Sequence, residues 1–143
     1  MTKARRAADV GIAAALVYLA VWIYELSNLA VLSAVGSQAS MAFLGILPVG
    51  VSAVNPDAQL LTIAKPLQVL LCGGVMFGLL QSVRSGGLPV SAMMASATLS
   101  VYLASSYWEM LSLMGSSSYL LHVAGFTALA LATQAALARA LKI

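Results

Sequence analysis

Four ionisable side chains, Glu25, Lys65, Glu109 and His122, stand within or at the ends of long apolar stretches of this chain. A charged group held in hydrocarbon is costly and, where it occurs, points first to function. A carboxylate pair, an ammonium and an imidazole that titrates near neutrality are the parts of a proton relay or of a polar ligand site. Ser105 and Ser112, four residues before and three after Glu109, share its helix face and can supply hydrogen bonds. A plainer reading stands beside this one. Side chains one turn from a membrane surface extend into the headgroups, with Tyr24, Tyr107, Trp108 and Tyr119 as an aromatic belt around them. A helix opening at Pro66 would strengthen that reading, because it would leave Lys65 at the interface.

Other chemistries find little support. One histidine and one cysteine, Cys72, with scattered carboxylates offer no metal-ligand spacing, and a lone His122 reaches a haem iron from one side only. A single cysteine also excludes an intrachain disulfide. Ser105, Ser106 and the run from Ser116 to Ser118 lack a nucleophile-elbow pattern, and Gly73-Gly74 and Gly86-Gly87 have no phosphate-loop lysine. Methionines at 41, 93, 94, 110 and 114 read as gap fillers rather than a thioether copper site. No catalytic residue, metal or cofactor is expected, and the chain reads as a non-enzyme.

The elements that must position these groups follow from composition. With 62% hydrophobic residues, 8% charged and a mean hydropathy of +0.98, the 143-residue chain has too little polar surface to coat a soluble globule. Four segments, about residues 7–26, 61–83, 90–113 and 119–141, reach the roughly 20 residues that cross a bilayer core. Ser27-Asn28, Ser85-Gly86-Gly87 with Pro89, and Gly115 to Ser118 punctuate them. Residues 28–59 are interrupted by Gly36, Gly45, Pro48 and Gly50, and their best apolar run, Met41 to Val54, is 14 residues long. That run is too short to span, so an outer-side re-entrant or amphipathic helical segment is expected there. The fold expected is a single all-α transmembrane domain over residues 1–143, a four-helix bundle with that segment added.

Charge sets the orientation. Lys3, Arg5, Arg6, Arg84, Arg139 and Lys142 all fall on one side of a four-crossing chain, leaving only Lys65 near the other face. The positive-inside rule then puts both termini in the cytoplasm, whereas a fifth crossing would move Arg84, Arg139 and Lys142 outside. The first apolar stretch is longer than a signal-peptide core, so it reads as a retained anchor. The net charge of +3 flanks the spans, which fits anionic headgroups and not nucleic acid.

Small residues spaced by four predict close helix approach, since lipid offers no hydrophobic gain on helix association. Gly74 and Gly78 do this on the second span, Ala92, Ser96, Ser100 and Ala104 on the third, and Ala124, Ala128, Ala132 and Ala136 on the fourth. An anchor, an outer-side segment and three further spans resemble, in arrangement alone, small four-pass families such as the vitamin K epoxide reductases and DoxX-type proteins. The paired cysteines of the former are missing, Cys72 standing by itself, so no redox chemistry is carried over. The expectation is a small non-catalytic membrane subunit whose partners are the lipid bilayer and other membrane chains or copies of itself. The alternative is a homo-oligomeric transporter or channel with its polar site at Lys65, Glu109 and His122.

Overall fold

The computed structural model describes the chain apart from residues 1, 37, 56, 114–118, 141 and 143, and apart from the side chains of 58, 61, 62, 107–113, 119–123, 126, 127, 129, 133 and 137. Four helices carry most of it: α1, Lys3–Ala34; α2, Ala58–Arg84; α3, Met93–Leu113, entered through a 3₁₀ turn at Val90–Ala92; and α4, Tyr119–Ala140. Between α1 and α2 stand two strands, β1 (Gln38–Leu44) and β2 (Leu47–Val54), paired antiparallel.

The helix ends follow local chemistry. Gly36, at φ +78°, closes α1 in the left-handed conformation that glycine adopts without penalty. Asp57 caps α2, its carboxylate accepting from the backbone N–H groups of Gln59 (2.9 Å) and Leu60 (3.2 Å). Because α2 starts at Ala58, Pro66 lies inside the helix rather than at its first position. Lys65 is therefore carried into the bundle, where it is only 4% exposed.

The 28–59 segment corrects the expectation of a helical cap. Its first part, to Ala34, continues α1, and the remainder is a β-hairpin. Glycines at 45 and 50 and Pro48 each disfavour a helix by about 1–3 kcal/mol, which a 14-residue run cannot absorb. A hairpin uses the same residues well. Gly45, at φ +62°, is the first central residue of the two-residue turn between Leu44 and Leu47, as in a type II′ turn. Pro48 falls where the register shifts between Ala42 and Phe43, a place where a missing N–H is tolerated.

The hairpin does not stand above the helices. It folds back along α1, with Ala39, Val51 and Ala53 against Val31 and Leu32. Phe43 meets the Trp22 ring at 5.7 Å, and the Tyr18 hydroxyl donates to the Ile46 carbonyl at 2.7 Å. From Ala34 to Tyr18 is about 24 Å at 1.5 Å per residue, so the tip descends about half the length of α1.

α3 is the hub, touching α1, α2 and α4. A bond from the Ser91 hydroxyl to the Asp9 carbonyl (3.2 Å) joins the beginnings of α1 and the α3 run, which lie parallel, with α2 antiparallel to both. The core between them is Ala20 and Tyr24 of α1, Cys72 of α2, and Ala95 and Leu99 of α3. Ala92, Ser96, Ser100 and Ala104 are all buried, and Ser96 donates to Gln134 of α4 at 2.8 Å. The other two stripes face outward. Gly74 and Gly78 are exposed with open space where a Cβ would stand, and Ala124, Ala128, Ala132 and Ala136 are exposed on α4, which turns Gln134 and Ala138 inward instead. Among the described residues both stripes are exposed rather than buried between helices.

Among the described residues, two helices are long and apolar enough to cross a membrane: α1, with an 18-residue stretch of mean hydropathy 1.8, and residues 63–84 of α2, with one of 1.7. The described part of the α3 run, 90–106, is a shorter apolar helix.

Candidate functional site

Three helices converge on the ammonium of Lys65. Its Nζ donates to Asn28 Oδ1 of α1 at 3.2 Å, to Gln68 Oε1 of its own helix at 3.1 Å, and to Ser106 Oγ of α3 in a short bond. An ammonium carries three N–H donors, so three oxygens replace the water that burial removes. The spacing makes the cage possible: Lys65 and Gln68 lie three apart on α2, and parallel α1 and α3 bring Asn28 and Ser106 to the same height.

A second shell of bonds extends the cage toward the core. Gln68 Nε2 donates to Ser27 Oγ at 2.9 Å, and Ser27 donates to the Tyr24 carbonyl at 2.7 Å. The Ser27 hydroxyl also lies 3.8 Å from the Cys72 sulfur. Tyr24 packs on Tyr102 of α3 with ring centres 4.9 Å apart. Asn28, Gln68 and Ser106 are each at most 4% exposed.

Beside the cage is a cavity of about 190 Å³ between α1, β2 and α3. Glu25, Asn28, Tyr102 and Ser105 face it, and Gly50 of β2 helps to roof it. Glu25 is 3% exposed, so its carboxylate is a group of the interior. Ser105 donates to the Val101 carbonyl at 3.1 Å, which leaves its oxygen lone pairs to accept. Asn28 borders both the cavity and the cage. The space suits a few waters or a small polar solute, held by a carboxylate, an amide and a hydroxyl against aromatic walls.

Of the four ionisable groups singled out in the sequence, the structure brings Glu25 and Lys65 to either side of Asn28, the first lining the cavity that Asn28 borders and the second donating to its amide oxygen. Glu109 belongs to α3 and His122 to α4, and the side chains of both lie outside the described residues, as do those of Ser112, Tyr107, Trp108 and Tyr119. Sequence reasoning overlooked Asn28, Gln68, Ser27 and Ser106 as partners. The signal was available: Glu25 with Asn28 and Lys65 with Gln68 are polar pairs three apart, on helices that would otherwise be apolar. Among the described residues, no group of three or more His, Cys, Asp or Glu is placed to hold a metal ion.

Compared with known proteins, the chain matches no protein-family model, no curated protein and no solved structure. Its chemistry is read from its own geometry.

Proposed function

We propose that the chain is an integral membrane protein of four crossings, with both termini cytoplasmic, that works as a non-catalytic subunit of an oligomer or larger membrane complex. Its polarity is inverted relative to a soluble protein, which supports the membrane setting. Lys65, Gln68, Asn28, Glu25 and Gln134 are buried, while Ile63, Leu67, Leu70 and Phe77 of α2 are 56–71% exposed. Parallel α1 and α3, antiparallel α2 and a hairpin that returns to its starting level support an even number of crossings.

The observation that carries the subunit role is the hairpin. Its tip reaches Tyr18, in the middle of the apolar 7–26 stretch, and among the described residues its sheet has two strands and no third. Phe43, Leu44, Ile46 and Val49 are 52–80% exposed there. Open sheet edges are not left facing lipid, because each unsatisfied backbone group costs several kcal/mol in hydrocarbon. Another protein surface must cover this one.

Purification from native membranes in mild detergent tests the reading. A defined assembly that Ile46→Asp dissolves, with the variant chain still membrane-inserted, is the expected result. A single chain carrying only lipid under every mild condition would overturn it. The cavity beside Glu25 favours a second reading, a small transporter in which identical chains build the path. In that case Glu25→Gln and Glu109→Gln abolish solute or proton flux in vesicles and leave assembly intact, whereas the subunit reading confines their effect to stability or assembly.

A further inference from the structure

Far from the Lys65 cage, at the end of the molecule that carries most of the basic residues, the first turns of α1 and the α2–α3 loop enclose an open cleft of about 660 Å³. Arg5 and Arg6 stand on one wall with Asp9 and Val10, and residues 86–91 form the other. The bond from Ser91 to the Asp9 carbonyl ties the walls together, so the cleft is built into the fold. Gly86, at φ +79°, shapes the loop, and the N–H groups of Gly87 and Leu88 are both spent on the Ser82 carbonyl, at 2.9 and 3.1 Å.

Two features of this cleft point to one kind of occupant. Both arginines are exposed, and among the described residues neither guanidinium makes a hydrogen bond or an ion pair. With Asp9 counted, the lining still carries a net charge of +1, two cations against one carboxylate. The other feature is the lip. Val10 and Val90 are each 67% exposed, and Leu88 and Pro89 continue the same apolar edge. From Arg6 to Val10 is one helix turn, about 6 Å, which is the order of the step from a phospholipid's phosphate to the start of its acyl chains. A soluble anion would use the guanidiniums and leave the apolar lip in water. A lipid uses both.

We propose that this cleft is a site for one anionic glycerophospholipid, its phosphodiester between the guanidiniums of Arg5 and Arg6 and its glycerol and acyl chains against Val10, Leu88, Pro89 and Val90. Arginine suits the role because its planar fork meets phosphate oxygens in pairs. The site rests on the membrane placement proposed above, and it orients the chain by fastening its cytoplasmic end to a negatively charged leaflet.

Native mass spectrometry of the full purified chain, titrated with dioleoylphosphatidylglycerol, dioleoylphosphatidylcholine or inorganic phosphate, tests it. The wild type should retain phosphatidylglycerol roughly 10- to 30-fold better than phosphatidylcholine, the preference expected of two basic residues at an anionic surface. The double variant Arg5→Gln, Arg6→Gln should lose that preference, and Arg139→Gln, Lys142→Gln, outside the cleft, should keep it. Equal retention of the two lipids overturns the site. So does an equal loss in both double variants, which would mean diffuse attraction, or displacement of the lipid by millimolar phosphate, which would mean a simple anion site. Carbonate extraction of the same membranes separates the underlying reading: a chain released by carbonate fails the membrane placement, whereas a retained chain indifferent to phosphatidylglycerol fails this site alone.

Discussion

Lys65 shows how one residue can hold three helices in register. Its three N–H donors reach oxygens on α1, α2 and α3, and the bonds to Asn28 and Ser106 fix α2 against both neighbours. Removing one acceptor leaves a buried donor without its partner, at a cost of about 1–3 kcal/mol. Asn28→Leu and Lys65→Met should therefore each lower thermal stability in detergent by about that amount. The double variant should cost less than the two added together, because it removes donor and acceptor at once. A double-mutant cycle measured by thermal unfolding decides this, and strict additivity would mean that the cage has no energetic reality. At this scale the sequence was half legible. Glu25 and Lys65 were visible as rare charges at a common height, but Asn28 read as a helix stop because the apolar stretch ends there. Polar residues that terminate a span on hydropathy grounds also serve inside a helix when a facing helix offers them a cation.

Among the elements, the helices were legible because their apolar runs and punctuation agree, and the ends of α2, α3 and α4 fall close to the limits read from the sequence. The hairpin was not legible as such. Hydropathy registers the 38–54 run as apolar and broken, and a broken run looks alike whether it becomes a short helix or two strands. What decides the matter is the turn at Gly45 and the pleated fit of Val51 and Ala53 on Val31 and Leu32. The depth of the tip is testable. A tryptophan placed at Ile46, in a background with Trp22→Phe and Trp108→Phe, should be quenched most by lipids brominated deep in the acyl chain; strongest quenching near the headgroup would mean that the hairpin lies on the surface. The small-residue stripes divide in the same way. Ser96 is fully buried between α3 and α4, so Ser96→Leu should overpack that contact and lower thermal stability by about 1–3 kcal/mol. Ala128→Leu, on the outward face of α4, should stay within about 0.5 kcal/mol of wild type. Spacing by four marks a face but does not say which way it looks. On α3, Ser96 settles it, because its hydroxyl donates across to Gln134 of α4.

For the molecule as a whole, the faces that one chain leaves uncovered bear on assembly. Gly74 and Gly78 lie one turn apart on α2, exposed, with no atom within 4 Å of the place a Cβ would take. Among the described residues nothing packs where their Cβ would stand, and glycine in a helix interior is about 1 kcal/mol less favourable than alanine. On the subunit reading proposed above, two such residues on an outer face are where another backbone approaches, since close approach is what glycine permits in a bilayer. The monomer fold should accordingly accept Gly74→Leu and Gly78→Leu, with thermal stability unchanged or slightly raised by helix propensity. In the same variants the assembly recovered in mild detergent should weaken or vanish, because leucine would push the approaching helix away by several ångströms. Size-exclusion chromatography with light scattering, run beside the thermal measurement on one preparation, reads both outcomes. Intact assembly with Leu at both positions would remove α2 from the interface and leave the hairpin as the docking element, and lost stability without any change in assembly would show that the glycines serve the single chain after all.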